Sequence, residues 1–460
     1  MISLTPILDE TVSHPLYLQL YDYIRDAILR GHIRTGERLP SLRSFAKSLD
    51  LSLTTVQMAY DQLSLEGYIS SRPQSGYYVN DIPSEDTADE AMAHLPAVSG
   101  EGQEMEESAP NLYFDPAAFD FSRWRKCVNE VLMDDADRLF LEGDPQGELS
   151  LRREISKYIY QARGVRCTPE QMILSAGTQQ LINLLCVLLR QMEIEHVCFE
   201  EPGYHPVQSI FKDRGYKHSH VPVDKDGINI ERLPMNIPST VYVSPSNQFP
   251  TGSVMPIARR YALLEWAARN ESIIIEDDYN SELRYFNRPV PSLQGLDSQG
   301  RVVYLGSFSS TLFPAVKISY MVLPPHMGTA FAESLREYTQ TCSKTEQLTL
   351  ALYMKKGFYQ TNLRKLRKLY GQKIQLATQE IQRCGKGVLS ILNNSSGIHM
   401  LLEVPSLDGV EEAKKKGLPV YPVSEYPTEA GHQAILFYYT RIPAEKMGEA
   451  VRFLADAFRI

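Results

Sequence analysis

Residues 81–110 carry nine carboxylates (Asp81, Glu85, Asp86, Asp89, Glu90, Glu101, Glu104, Glu106 and Glu107) and no lysine or arginine. Proline, glycine, serine and alanine fill much of the remainder, and large apolar residues are few. Such a segment has too little to bury to offset the entropy of ordering it, and its own charge drives it open. It reads as an acidic linker, so the chain of 460 residues must fold as separate units on either side. The expected division is a head at 1–80, the linker at 81–110, and a body that divides again at 111–325 and 326–460. The linker also accounts for the whole formal net charge of −9. The rest of the chain is formally neutral, so global charge excludes no class of partner.

Other classes are set aside by what the sequence lacks. No apolar run approaches the ~20 residues that a membrane span needs. The opening MISLTPILDETVSHP has neither the basic start nor the apolar centre of a secretion signal. The six cysteines (Cys127, Cys167, Cys186, Cys198, Cys342 and Cys384) are scattered without a CxxC pair and read as reduced thiols. A cytoplasmic location is expected.

The head predicts three helices and a hairpin. Apolar residues recur at helical spacing over 16–30, and Gly31 closes that helix. Pro40-Ser41 opens a second helix running to about Leu49. Ser52 caps a third, Leu53 to Leu65, stopped by Gly67. Tyr68–Ser70 and Tyr77–Val79 flank a turn at Pro73-Gln74-Ser75-Gly76, giving a short wing. Two helices joined by a tight turn suit the major groove of DNA, with Ser52, Thr54, Thr55 and Gln57 near the start of the reading helix. Arg38, Arg43 and Arg72 are candidate phosphate contacts. The head's net charge is nearly neutral, so from the residues alone a small protein-interaction module competes with a DNA reader.

The body alternates helices with short apolar strands, expected near 172–175, 196–200, 240–243, 272–276, 301–305 and 319–322. This predicts an α/β unit with a mostly parallel sheet covered on both faces, with ligands at the carboxyl ends of its strands. Past about 326 the pattern becomes a long helical stretch and then strands near 399–403 and 434–439, a smaller α+β domain. Several strand ends carry chemistry. Ser175-Ala176-Gly177-Thr178 opens a helix whose free amides could hold a phosphate, or could simply be capped. Tyr204 could stack on a flat ring or merely pack. Asn247 offers an amide on a loop. Asp277 could hold a pyridine nitrogen protonated and Tyr279 bond a ring oxygen. Acids at a strand end could equally be solvated; no histidine accompanies them to suggest a transition metal, magnesium stays open, and no metal site is expected.

Two resemblances sharpen these readings. The stretch ERLPSLRSFAKSLDLSLTTVQMAYDQLSLEGYISSRPQSGYYV resembles the GntR-type winged helix, through Leu39-Pro40-Ser41, Arg43, Ser52, Thr55-Val56, Tyr60, Leu63, Glu66-Gly67 and Gly76. It implies a double-stranded DNA operator as partner and Arg38, Ser41, Arg43, Ser52, Thr54, Thr55, Gln57, Arg72 and Gly76 as the DNA-binding set. One departure is Leu53, where the family usually has arginine. The body segments, in their order, resemble fold-type I aminotransferases that use pyridoxal 5′-phosphate (PLP). The combination resembles the MocR/GabR regulators, which implies a cytoplasmic homodimer that binds a small-molecule effector.

The resemblance assigns Gly177, Thr178, Ser307, Ser309 and Lys317 to the phosphate cradle, Tyr204 to ring stacking, Asp277 to the ring nitrogen, and Asn247 and Tyr279 to the 3-oxygen. It assigns Arg441 to an effector's carboxylate and Gly143–Gly147 to a loop that reaches the partner subunit's pocket. Two departures lie at the centre. Ser310 stands where the family's Schiff-base lysine stands, and a hydroxyl cannot form that bond. Lys317 replaces the cradle's arginine, keeping its charge without its fork. Three explanations of Ser310 stand side by side. The pocket has abandoned PLP for another ligand, or it holds PLP or an adduct noncovalently, or the serine is an engineered replacement. The expected protein is therefore a DNA-binding transcription regulator whose aminotransferase-like body senses a small molecule, amino-acid-like or a PLP adduct, and is catalytically inactive. The alternative, an active aminotransferase with an accessory DNA-binding domain, is disfavoured by Ser310.

Overall fold

The computed structural model describes residues 14–82 and 118–459, with Leu8 and Asp115, apart from breaks at 286–289, 335–337, 396, 424–425, 427 and 429–430. Beyond Ile82, the expected acidic linker lies outside the described residues. The chain separates into two compact units, Met1–Ser108 and Ala109–Ile460.

In the first unit, α1 (Leu16–Leu29) buries Leu20, Ile24, Ala27 and Ile28 along one stripe, as its period requires. Helix α2 (Leu42–Leu49) begins where the Ser41 hydroxyl accepts the Ser44 N–H at 3.2 Å. Helix α3 (Leu53–Leu65) begins in the same way, with Ser52 accepting from Thr55 at 3.0 Å. Tyr60 of α3 is fully buried and donates to the Pro40 carbonyl at 3.1 Å, tying α3 to the start of α2. The Tyr21 hydroxyl donates to Glu66, joining α1 to the end of α3. Strands β1 (Ile69–Arg72) and β2 (Gly76–Val79) pair antiparallel. Gly76, at φ +108°, completes the turn between them. Phe45, Val56, Leu63, Ile69 and Val79 close the core.

The second unit is built on an eight-stranded sheet. Its strands are β3 (Met172–Ser175), β4 (His196–Glu201), β5 (Lys217–Asp224), β6 (Gly227–Ile228), β7 (Thr240–Val243), β8 (Ile273–Asp277), β9 (Val302–Ser307) and β10 (Ser319–Val322). They lie in the order β3-β10-β9-β8-β7-β4-β5-β6. Strands β9, β8, β7, β4 and β5 run parallel, while β10 is antiparallel to both neighbours. Strands β3, β7 and β10 are buried along their whole length, because helices cover both faces. One cover is α4 (Thr178–Gln191), which packs Leu181, Ile182 and Leu185 with Ile173, Ile275 and Leu305. Another is α5 (Ile257–Arg269), which packs Leu263 and Trp266 with Val241 and Ile274. Strand β5 was not expected. Its sequence KHSHVPVD is polar and mostly exposed, so it carries no apolar run to betray it.

The helical stretch after 326 is interrupted rather than continuous. Helix α6 (Lys344–Lys355) starts at the Ser343 cap, and Gly357 at φ +73° separates it from the 27-residue α7 (Phe358–Cys384). A four-stranded antiparallel sheet follows, in the order β11 (Ser390–Asn393), β12 (Met400–Val404), β14 (Gln433–Phe437), β13 (Val420–Val423). Its strands β12 and β14 share a core with Ile374, Ala377 and Ile381 of α7. Strands β11 and β13 were not expected, and both lie at the sheet's edges, where apolar pattern is weakest. Among the described residues no helix is long and apolar enough to cross a membrane, and no three His, Cys, Asp or Glu side chains cluster as a metal would require. All six cysteines are free thiols.

Candidate functional site

The parallel strands β4, β7, β8 and β9 end on one side of the sheet, and their ends open into a cavity of about 430 Å³. Gly177, Thr178, Tyr204, Asp277, Tyr279, Ser307, Ser309, Ser310 and Lys317, residues spread over 141 positions of chain between Gly177 and Lys317, all line it. The sequence reading did not single out Ser244, Phe249, Ser319 or Tyr438, which line it too. Ser319 was legible only through register: it starts β10 directly opposite Ser307.

One end of the cavity is a hydroxyl cradle. Gly177, at φ +98°, has nothing within 4 Å of where a Cβ would stand, and it opens α4 with no side-chain cap. The first amides of α4 are therefore not capped from within the helix start, an arrangement that favours an anion. Ser319 donates to the Ser307 hydroxyl at 3.0 Å, and Ser307 donates to Ser309 at 3.3 Å. Lys317, at φ +48°, adds the one amine among the cavity-lining residues.

Three consecutive acids at the end of β8 divide by strand alternation. Glu276 is fully buried and accepts the Leu293 and Gln294 N–H groups at 2.8 and 2.9 Å. Asp278 accepts Arg163 Nε at 2.8 Å, the Tyr304 hydroxyl at 2.6 Å and the Ser281 hydroxyl at 2.7 Å. Burial alone would raise the Asp278 carboxyl, but the Arg163 guanidinium overrides it and holds it below the usual carboxylate range. Asp277, between them, faces the cavity. Burial pushes its carboxyl up to about 6, against the opposing hydrogen bond from the Tyr242 hydroxyl. Among the described residues it forms no ion pair to match that of Asp278 with Arg163, which leaves it the acid best placed to meet a ligand cation. Behind it, burial pushes Glu200 up to about 8, although the Ser244 N–H and Gln248 favour its charged form.

Tyr204 meets the Phe249 ring edge-on at 6.2 Å between centroids. Two of the assigned residues are not among those that line the cavity. Arg441 is solvent-exposed and is not among the residues that line the cavity. Strand β14 stops at Phe437, Tyr438 lines the cavity, and Arg441 emerges in the turn that follows. Asn247 is buried but does not line the cavity; its amide packs against Gly397 instead. The loop Gly143–Gly147 is held within its own chain, with Arg152 bonded to the Gly147 carbonyl and to Asp144.

In the head, Arg38, Ser41, Arg43, Ser52, Thr54, Gln57 and Arg72 are exposed. Thr55 is half-buried, and both its N–H and its hydroxyl engage Ser52. Arg72 stacks over the Tyr78 ring at 4.4 Å, and the Arg38 guanidinium packs against Gly76. Two arginines thus flank the wing, while Arg43 occupies the first turn of α2.

A winged helix-turn-helix head and an aminotransferase-like α/β body define a class of DNA-binding regulator. Residues 16–79 match the family described as bacterial regulatory proteins, gntR family, and residues 109–418 match aminotransferase class I and II. The chain belongs to the MocR-type HTH transcriptional regulators. It is 39% identical, over the full length of both chains, to the uncharacterized HTH-type transcriptional regulator YdeL of Bacillus subtilis. It is 32% identical to the "Probable rhizopine catabolism regulatory protein MocR" of Rhizobium meliloti, covering 98% of this chain and 95% of that one. It is also 32% identical to the pyridoxine biosynthesis transcriptional regulator PdxR of Corynebacterium glutamicum, covering 89% and 88%. Among solved structures, the kynurenine aminotransferase of Pyrococcus horikoshii superposes with a TM-score of 0.65 at 23% identity, over 75% of this chain and 88% of that one. That likeness is one of fold.

Proposed function

We propose that this regulator senses a phosphorylated pyridine of the PLP type, held noncovalently in the body, and that the body catalyses no transamination. The observation that carries this reading is one cavity whose lining gathers Thr178, Tyr204, Asp277, Tyr279, Ser307, Ser309 and Lys317, with Ser310 among them. The first amides of α4, with Thr178, Ser307, Ser309 and Lys317, would hold the phosphate. Tyr204 would cover a ring face, Tyr279 would bond the ring oxygen, and Asp277 would face the ring nitrogen. Asp277 near 6 is poised to ionise fully beside a pyridinium, and Tyr242 keeps its carboxylate aimed. When bound, such a ring supplies an electron sink. Ser310 offers no amine to anchor it or to move a proton to and from a substrate carbon. Lys317 sits among the cradle serines, where its charge serves the phosphate.

The lining contains no arginine among the described residues. This favours the phosphopyridine itself over a free amino acid as effector, and the name of the relative PdxR supports the same choice. The chain is read as a cytoplasmic homodimer whose two heads engage two half-sites of an operator. Ligand occupancy shifts the heads only if it favours one of their arrangements. An active aminotransferase, the activity named for the structural neighbours, is the second reading, and Ser310 opposes it.

The deciding experiment mixes purified full-length protein with PLP and follows absorbance through gel filtration, with and without borohydride. Free-aldehyde absorbance should co-elute and be lost on dialysis, and no label should survive borohydride and denaturation. Footprints on the promoter beside the chain's own gene should change when PLP is added. Absence of co-elution at millimolar PLP, or turnover with a panel of amino acids, would overturn the reading.

A further inference from the structure

The reading end of α3 has a chemistry of its own. The helix buries Val56, Ala59, Tyr60 and Leu63, and the opposite side of its first two turns is exposed. There stand Leu53 and Met58, each 44% exposed, with Thr54 and Gln57 beside them. Helix α3 contains no lysine or arginine from Leu53 to Leu65. The commonest contact to guanine, a guanidinium or ammonium on its O6 and N7, is therefore missing from the element that would enter the major groove. Basic groups lie around it instead: Arg43 on α2, and Arg38 and Arg72 at the wing. That surround suits phosphates. Asp61 is exposed one turn further along, and its charge would repel phosphates from the helix's far half.

We propose that α3 reads A·T base pairs, with Leu53 and Met58 packing against thymine methyl groups and Gln57 bonding an adenine edge. A long apolar side chain on a groove-facing helix is costly to leave in water and cannot satisfy a base's polar edge. The one apolar group that the major groove presents is the thymine methyl. Gln57 has the paired acceptor and donor that adenine N6 and N7 require. The inference rests on the DNA-binding reading of the head and adds what the head selects.

The test begins by selecting high-affinity duplexes from a random pool with the full-length protein. Each thymine of the selected half-site is then replaced singly by deoxyuridine, which removes only the methyl group. At one or two positions affinity should fall about fourfold, the effect of withdrawing roughly one buried methyl. Leu53→Ala and Met58→Ala should each abolish the uracil effect at one position and leave the other positions unchanged. Leu53→Arg should move the selected preference toward guanine near its contact. Clear sequence preference with no uracil effect at any position overturns this inference and leaves the regulator reading standing. Absence of any sequence preference overturns both.

Discussion

At the scale of single residues, the site turns on Ser310 and on two carboxyl groups, Asp277 at the cavity lining and Glu200 behind it. Ser310→Lys should restore a covalent attachment point. With PLP and borohydride the variant should acquire a label that mass spectrometry places at position 310, while the unaltered chain acquires none. Glu200 gives a pH signature that is independent of any ligand. Its carboxyl sits near 8 in the fold against about 4.3 in an unfolded chain. The folded state thus binds the extra proton between those values, and stability falls as pH rises through that window. Glu200→Gln should leave the melting temperature unchanged near pH 4 and raise it at pH 8.5, by a gain on the order of a few kcal/mol. A thermal melt series across pH checks this; an equal effect at both ends would mean that Glu200 is charged in the fold. Residue-level legibility was uneven for a physical reason. Asp277 and Thr178 stand at ends of apolar strands or starts of apolar helices, where a chain pattern marks them. Tyr438 lies just past a strand end among equally plausible aromatics, and only the fold distinguishes it from Arg441 three residues later.

Elements with punctuation were legible in the sequence, and elements without it were not. Helix α3 falls at Leu53–Leu65 because Ser52 and Gly67 mark both ends of an apolar stripe. The core strands were visible as short buried apolar runs. Strands β5, β11 and β13 are polar or edge strands whose pairing depends on neighbours far away in sequence, so no local pattern announces them. The caps themselves are testable. Ser52 accepts the Thr55 N–H at 3.0 Å, and Ser52→Ala should destabilise the head by about 1 kcal/mol. Urea unfolding followed by circular dichroism would detect that loss. A change within error would show that Thr55 or solvent replaces the cap.

On the scale of the whole molecule, two separate cores within one chain predict two unfolding events. Calorimetry of the full chain should resolve a small transition for the head and a larger one for the body, and added PLP should move only the second. A single transition that shifts as one would argue against independent units. The position of Asp277 at the cavity lining has a further consequence. Its carboxyl is raised to about 6, so at neutral pH the empty body holds a buried charge that its unfolded chain solvates freely. Asp277→Asn should therefore raise the melting temperature of the empty protein above pH 7 and abolish the rise that PLP brings to the unaltered chain. An unliganded body is then the less durable one, and intracellular proteolysis tracks the fraction unfolded. If the body binds a phosphopyridine as proposed, scarcity of that ligand would lower the number of regulator molecules per cell as well as change what each one does, coupling the regulator's lifetime to its ligand's supply.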